Sequence, residues 1–273
     1  MIINGKKWAD EKEAALAQKI ALFKKTHHFS PGLAVVLAGD DPASKMYVAL
    51  KEQAAKRVGL HFEKHLFSQK DSLQLIKSLL QQKNNDQLIT GILIQLPLQL
   101  IKPADLINQI APQKDVDCLT DYNLSRLNKG QALFLPATLK AVLVIIKNFE
   151  LEIKNSSVCV VGATGFIGKP IADYLDFLGA GVDRCDRKTA DLSLHARRAD
   201  ILISASGVPG LIKKNMVKPG ALVIDVGSPQ GDVDFVEVKD VAGAITPVPG
   251  GVGPLTVVSL LENVFLAAQS TSI

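Results

Sequence analysis

Ser157-Val158-Cys159-Val160-Val161-Gly162-Ala163-Thr164-Gly165-Phe166-Ile167-Gly168 is the stretch that decides the fold. A short apolar, β-branched run turns through three glycines into Ile167 to Leu178, a helical pattern ended by Gly179. In such a strand–turn–helix unit, glycine lets the backbone approach a pyrophosphate. The helix start adds free N–H groups and a positive dipole end. The spacing is GxxGxxG, not GxGxxG, and close helix–strand packing also selects glycine. Dinucleotide binding by Gly162, Ala163, Thr164, Gly165 and Gly168 is the functional reading, and a purely structural turn is the alternative. The next strand ends in Asp183-Arg184-Cys185-Asp186-Arg187-Lys188-Thr189. An acidic side chain there bonds a free ribose 2′-hydroxyl, as in NAD, whereas an arginine holds the 2′-phosphate of NADP. Both types are present, so these residues leave the cofactor open.

Outward from this turn the same alternation repeats. Residues 33–38, 91–95, 201–203 and 222–224 are apolar runs of strand length. Their lack of polar alternation suits parallel strands covered on both faces. Helical spacing occupies 10–25, 44–58 (ended by Gly59), 72–82, 136–149 and 255–268. The fold class expected is α/β, in two lobes with a cleft between them.

The chain has 273 residues, 47% hydrophobic and 21% charged, enough to bury a large core and incompatible with wholesale disorder. Runs such as Gly91 to Ile94 and Ala221 to Ile224 are too short to span a bilayer, and Met1 to Asp10 lacks an apolar leader core. Cys118, Cys159 and Cys185 are odd in number with no CxxC pair, and read as reduced thiols of a cytoplasmic protein. The five histidines make no HExxH, so no metal is expected. The net charge of +4 is mild, and the basic stretch Arg184 to Arg198 is broken by Asp186 and Asp191. Neither a nucleic-acid nor a membrane partner is expected.

Ser44, Tyr47 and Lys51, at i, i+3 and i+7, share one helix face. A lysine beside a tyrosine in a closed site can lose its proton readily and act in proton transfer. YxxxK with a glycine turn also suggests short-chain dehydrogenases. In those the nucleotide turn comes first, whereas here Tyr47 lies far upstream of Gly162.

The whole constellation resembles the bifunctional methylenetetrahydrofolate dehydrogenase/cyclohydrolase family. The likeness rests on Gly39-Asp40-Asp41-Pro42-Ala43-Ser44 with Tyr47, Val48 and Lys51, on Gln95-Leu96-Pro97-Leu98, and on Lys114-Asp115-Val116-Asp117. It continues through Gly162 to Pro170, Asp225-Val226-Gly227, Gly231 to Phe235 and the run Ile245 to Pro254. The resemblance implies oxidation of 5,10-methylenetetrahydrofolate to the methenyl cation with NADP, then hydrolysis to 10-formyltetrahydrofolate, a step of one-carbon metabolism. It assigns Lys51 as the catalytic lysine and Tyr47 to stacking on the folate. Gln95 tunes the lysine, Asp117 binds the pterin edge, and Ser44 and Pro254 also contact substrate. It implies a homodimer. It implies a folate-binding catalytic domain over 1–137 and 254–273, its last helix returning to the first lobe, and a Rossmann-type domain over 138–253.

The chain departs from the family pattern in its second half. Gly162-Ala163-Thr164 replaces Gly-Arg-Ser, and Cys185-Asp186-Arg187 replaces Cys-His-Ser. Pro136 to Ala141 keeps only Thr138 of the central Cys-Thr-Pro, and Ser228-Pro229 replaces Ile-Asn. Arg187 is the candidate replacement cation, with Thr138 a further cofactor contact. NADP is the expected cofactor, with NAD not excluded. A cyclohydrolase-only protein and a different Rossmann oxidoreductase are the alternatives.

Overall fold

The computed structural model describes residues 1–68, 70–98 and 102–271. Ser272 and Ile273, the end of the expected 254–273 segment, lie outside the described residues. In chain order the elements are α1 (Gly5–His27), β1 (Gly32–Ala38), α2 (Pro42–Val58), β2 (His61–Phe67), α3 (Leu73–Asn85) and β3 (Gly91–Ile94). Then come α4 (Pro103–Ile107), α5 (Asp121–Leu127), α6 (Ala137–Asn148), β4 (Ser157–Val161), α7 (Gly168–Phe177) and β5 (Gly181–Cys185). The last are α8 (Leu192–Ala196), β6 (Ile201–Ser204), β7 (Leu222–Asp225), α9 (Phe235–Val238), β8 (Ala244–Ile245) and α10 (Val252–Thr271). The chain forms two compact units. One comprises 10–126, 130–137 and 257–273, and the other 1–9, 127–129 and 138–256.

The first unit is built on a parallel sheet of order β2-β1-β3. All four residues of β3 and nearly all of β1 are buried, which is why neither strand alternates. Ile76 and Leu80 of α3 pack on Ala34, Val36 and Ile92. Each large side chain so buried contributes about 1.5–3 kcal/mol. α10 returns to this unit, as expected. Phe265 meets Phe23 edge-on at 5.7 Å, and Asn263 Nδ2 donates to the carbonyls of Val116 (2.8 Å) and Leu135 (2.9 Å).

α10 carries an apolar stretch longer than the runs named above. Val252–Ser270 is long and apolar enough, by length and composition, to cross a membrane, with mean hydropathy 1.4. It is 61% buried inside the protein and serves as a core helix. Thr256, Ser259, Glu262 and Asn263 interrupt its apolar run, so no unbroken stretch marks its length.

The second unit carries five parallel strands in the order β5-β4-β6-β7-β8. The strand order reverses between β4 and β6, and ligands of open α/β sheets bind outside the carboxyl ends at such a point. Ile2 bridges Ile245, extending the β8 edge with the first residues of the chain. Cys118, Cys159 and Cys185 are free and buried.

Candidate active site

α2 carries the first candidates because its start is fixed chemically. Asp41 caps it by accepting from the Ser44 N–H (2.7 Å), Pro42 stands in its first turn, and Gly59 ends it at φ 84°. The helix opens just past the carboxyl end of β1, where the first sheet reverses its strand order towards β3. Gln95 and Leu96 follow β3 at the same edge. Ser44 Oγ reaches the Leu96 carbonyl at 3.4 Å, so the helix start and the strand end are joined.

At this edge Lys51 Nζ donates to Gln95 Oε1 at 2.7 Å. Gln95 Nε2 in turn donates to the Leu96 carbonyl at 2.7 Å, which fixes the amide with its oxygen towards the lysine. The Tyr47 ring lies 5.9 Å from the ammonium. Burial pushes the Lys51 ammonium down to about 8, against the opposing pull of Asp117. Burial likewise lifts Asp117 to about 6. Lys51 and a backbone hydrogen bond from Ala137 hold it down, and Asp115 pushes it further up. Tyr47 is also raised by burial. Both shifts bring a lysine and a carboxylate towards neutral pH in one place, a pattern that marks candidate functional sites.

Sequence reasoning chose Asp117 and missed what presents it. Asp115, buried, bridges Ile92 alongside β3. Its carboxylate accepts from Leu119 N (3.1 Å), Thr120 N (2.9 Å), Thr120 Oγ1 (2.7 Å) and Asn123 Nδ2 (2.8 Å). These bonds close the turn that displays Asp117, with Cys118 at φ 57° in its bend. Two acidic residues flanking one valine were visible in the sequence. Their division into a turn-former and a site carboxylate was not.

Ser44, Tyr47, Lys51, Gln95 and Asp117 thus fall in the first unit. Thr138, Pro254 and the glycine turn fall in the second. Thr138 is half-buried in the first turn of α6, and Pro254 lies in the first turn of α10.

The glycine turn has the features a pyrophosphate requires. Gly162 sits at φ 84°, and a Cβ there would lie 2.3 Å from the Ala205 carbonyl oxygen. A Cβ on Gly168 would lie 2.2 Å from the Gly162 carbonyl oxygen, so α7 packs directly on the turn. Gly165 is exposed, and a Cβ there would meet only the Gly162 oxygen, at 3.3 Å. No side chain caps α7, whose Lys169 N–H donates to the Gly165 carbonyl (3.0 Å) and whose Pro170 has no N–H. The Ala163 methyl is buried and its N–H goes to the Cys185 carbonyl, whereas Thr164 is exposed.

At the end of β5 the acidic and basic side chains separate by role. Asp186 Oδ1 accepts from the Lys188 N–H (2.8 Å) and Asp186 N donates to Thr189 Oγ1 (2.9 Å), so this aspartate shapes its own turn. Arg184 is held by Asp173 and Asp176 of α7. Arg187 is exposed beside that turn.

The second sheet, with its reversed strand order and uncapped, glycine-bounded helix, defines a Rossmann-type nucleotide-binding domain, joined here to an α/β unit with an acid–base cluster. Residues 3–117 match the tetrahydrofolate dehydrogenase/cyclohydrolase catalytic domain, and residues 136–272 match the NAD(P)-binding domain of the same family. The chain belongs to that family. The bifunctional protein FolD of Nautilia profundicola is 41% identical over 277 residues, covering 98% of this chain and 97% of the relative. The structure of the bifunctional FolD enzyme of Campylobacter jejuni superposes with a TM-score of 0.94 at 36% identity, covering 99% of both chains. The Trypanosoma brucei enzyme, solved with NADP cofactor and an inhibitor, gives 0.95 at 31% identity, covering 100% of this chain and 98% of that one.

Proposed function

We propose that this chain oxidises 5,10-methylenetetrahydrofolate to the methenyl cation with NADP, and then hydrolyses the cation to 10-formyltetrahydrofolate. The observation that carries the reading is the Lys51–Gln95 contact beside Asp117, in the part of the chain that matches the family's catalytic domain. Bound NADP supplies the hydride acceptor. The protein's own groups do the rest. Asp117 accepts hydrogen bonds from the amino-pyrimidine edge of the pterin, which offers paired donors. Tyr47 stacks on the folate ring system. Neutral Lys51, oriented by Gln95, takes a proton from the water that attacks the methenyl carbon. An ammonium there would repel the cation and could accept nothing. In this reading residues 1–137 and 254–273 handle folate, with Ser44 and Pro254 at the substrate, and 138–253 hold the nucleotide. The chain is read as a homodimer of the cytoplasm.

The two perturbed groups set an expected pH profile. Lys51 must be neutral to act, and it loses its proton near pH 8. Hydrolysis therefore rises about tenfold per pH unit below that value and levels off above it. Asp117 must be charged to bind the pterin edge, so KM for folate climbs as pH falls through about 6. Initial rates of methenyl loss across pH 5–10, corrected for the spontaneous reaction, check both limbs. A profile flat between pH 6 and 9 would remove Lys51 from the chemistry.

The end of β5 supports NADP over NAD. Asp186 is engaged in its own turn, and Arg187 stands in place of the cation lost at Ala163. One charge-assisted contact to the 2′-phosphate contributes roughly 1.5–3 kcal/mol. Arg187→Ala is therefore expected to lower kcat/KM for NADP by roughly ten- to a hundredfold and to leave the value for NAD unchanged. The parallel assay of wild type with methylenetetrahydrofolate and either nucleotide tests the whole reading. Turnover with NAD alone would give the ribose to Asp186, and hydrolysis without any dehydrogenation would remove the first activity.

A further inference from the structure

Two buried carboxylates at the carboxyl edge of the second sheet take no part in the chemistry above. Asp225, ending β7, accepts from Gly227 N (2.8 Å), Asp232 N (3.0 Å) and Val233 N (2.9 Å), and its own N–H goes to Thr246 Oγ1 (2.7 Å). It closes the loop 226–231 and delivers Asp232. Asp232, fully buried, then reaches across to the neighbouring strand end. Its Oδ2 accepts from Ser204 Oγ (2.8 Å), Ser206 N (2.6 Å), Ser206 Oγ (2.9 Å) and Gly207 N (3.3 Å). Its Oδ1 is buried and has no hydrogen-bond partner among the described residues. Leaving one carboxylate oxygen unpaired in the interior costs free energy. The gathering of four donors on the other oxygen offsets it, and all four lie on a single segment, 204–207.

That segment leaves β6, and the glycine turn leaves β4, its neighbour across the strand-order reversal. The two are in direct contact, since a Cβ on Gly162 would lie 2.3 Å from the Ala205 oxygen and 3.0 Å from Ser206 Cα. We propose that Asp232 is a positioning residue for the cofactor: it pins residues 204–207 as the second lip of the dinucleotide crevice, facing Gly162 to Gly168. The inference rests on the nucleotide reading of that turn. It adds that the crevice width is set from beneath by a carboxylate that touches no ligand.

Asp232→Ala, Asp232→Asn and Ser206→Ala in the full chain test it, with NADP binding measured by calorimetry beside both activities and thermal melting. Asp232→Ala is expected to weaken NADP binding on the order of tenfold or more, as loss of orientation does. KM for NADP rises more than kcat falls. Hydrolysis of the methenyl compound, carried by residues of the first unit, stays within about twofold. Asp232→Asn, whose amide oxygen still accepts from the loop, recovers most of the affinity. Ser206→Ala, which removes one donor without unburying the carboxylate, weakens binding in the same direction by less. Unchanged NADP affinity in a folded Asp232→Ala or Ser206→Ala protein would overturn the proposal. So would parallel loss of binding, hydrolysis and melting temperature in Asp232→Ala without recovery in Asp232→Asn. Wild-type protein that binds no NADP would overturn the nucleotide reading, and this inference with it.

Discussion

Lys51→Met lowers kcat for hydrolysis of the methenyl cation by roughly 10²- to 10⁴-fold, the contribution of one positioned proton acceptor. Methionine matches the length of the lysine stem and carries no charge. It therefore removes the base without opening a large void. The fold tolerates the change because burial already disfavours the ammonium, as its fall to about 8 records. Against this, Gln95 Oε1 loses its donor, a penalty of about 1–3 kcal/mol for a buried acceptor. NADP affinity stays at the wild-type value, because the glycine turn and Arg187 belong to the second unit. Loss of methenyl absorbance above the spontaneous rate is the measurement. A variant that hydrolyses as fast as wild type would show that water attack proceeds without Lys51.

Gly162→Ala produces the largest effect expected in the second unit. At φ 84° an alanine pays about 1–2 kcal/mol for the left-handed backbone. Its Cβ also meets the Ala205 oxygen at 2.3 Å, a backbone atom that cannot swing aside. Overpacking of that kind adds about 1–3 kcal/mol. The strain is expected to move the turn away from the 205–207 segment, abolish measurable dehydrogenation and lower the melting temperature by several degrees. Hydrolysis persists, since Lys51, Gln95 and Asp117 are elsewhere. Nucleotide titration and a melting scan on one preparation check the two parts. Wild-type NADP binding in this variant would mean that the turn is structural only.

Much of this was legible in the residues. The apolar runs at 33–38, 91–95, 157–161, 201–203 and 222–224 became strands because a sheet buried on both faces leaves no room for polar alternation. The Lys51–Gln95 contact was anticipated because both belong to motifs of the family. What stayed hidden was mostly polar and long-range. The β5 strand, with Asp183 and Arg184 in its middle, shows little apolar pattern, since it is an edge strand. Asp186 and Arg187 looked like equal competitors for the ribose, and the bond from Lys188 N to Asp186 Oδ1, which ties the aspartate into its own turn, had no signature in the sequence. The bonds of Asp232 to residues 204–207 join positions far apart in the chain, which no local spacing announces. Asn263 interrupts the apolar pattern of α10 because its amide reaches the carbonyls of Val116 and Leu135, far away in the chain.

The two ends of the chain are exchanged between the two units, and this bears on how the protein is made. Residues 1–3 complete the edge of the second sheet by pairing with Ile245, and residues 257–271 complete the core of the first unit through Asn263, Val264 and Phe265. A ribosome therefore delivers the first strands and Lys51 long before the helix that covers them. Residues 1–3 must wait until Ile245 has emerged before their partner strand exists. Domains that occupy one stretch of chain mature in turn during elongation. Here neither unit does: each waits for a segment distant in the sequence before its sheet edge or its core is complete.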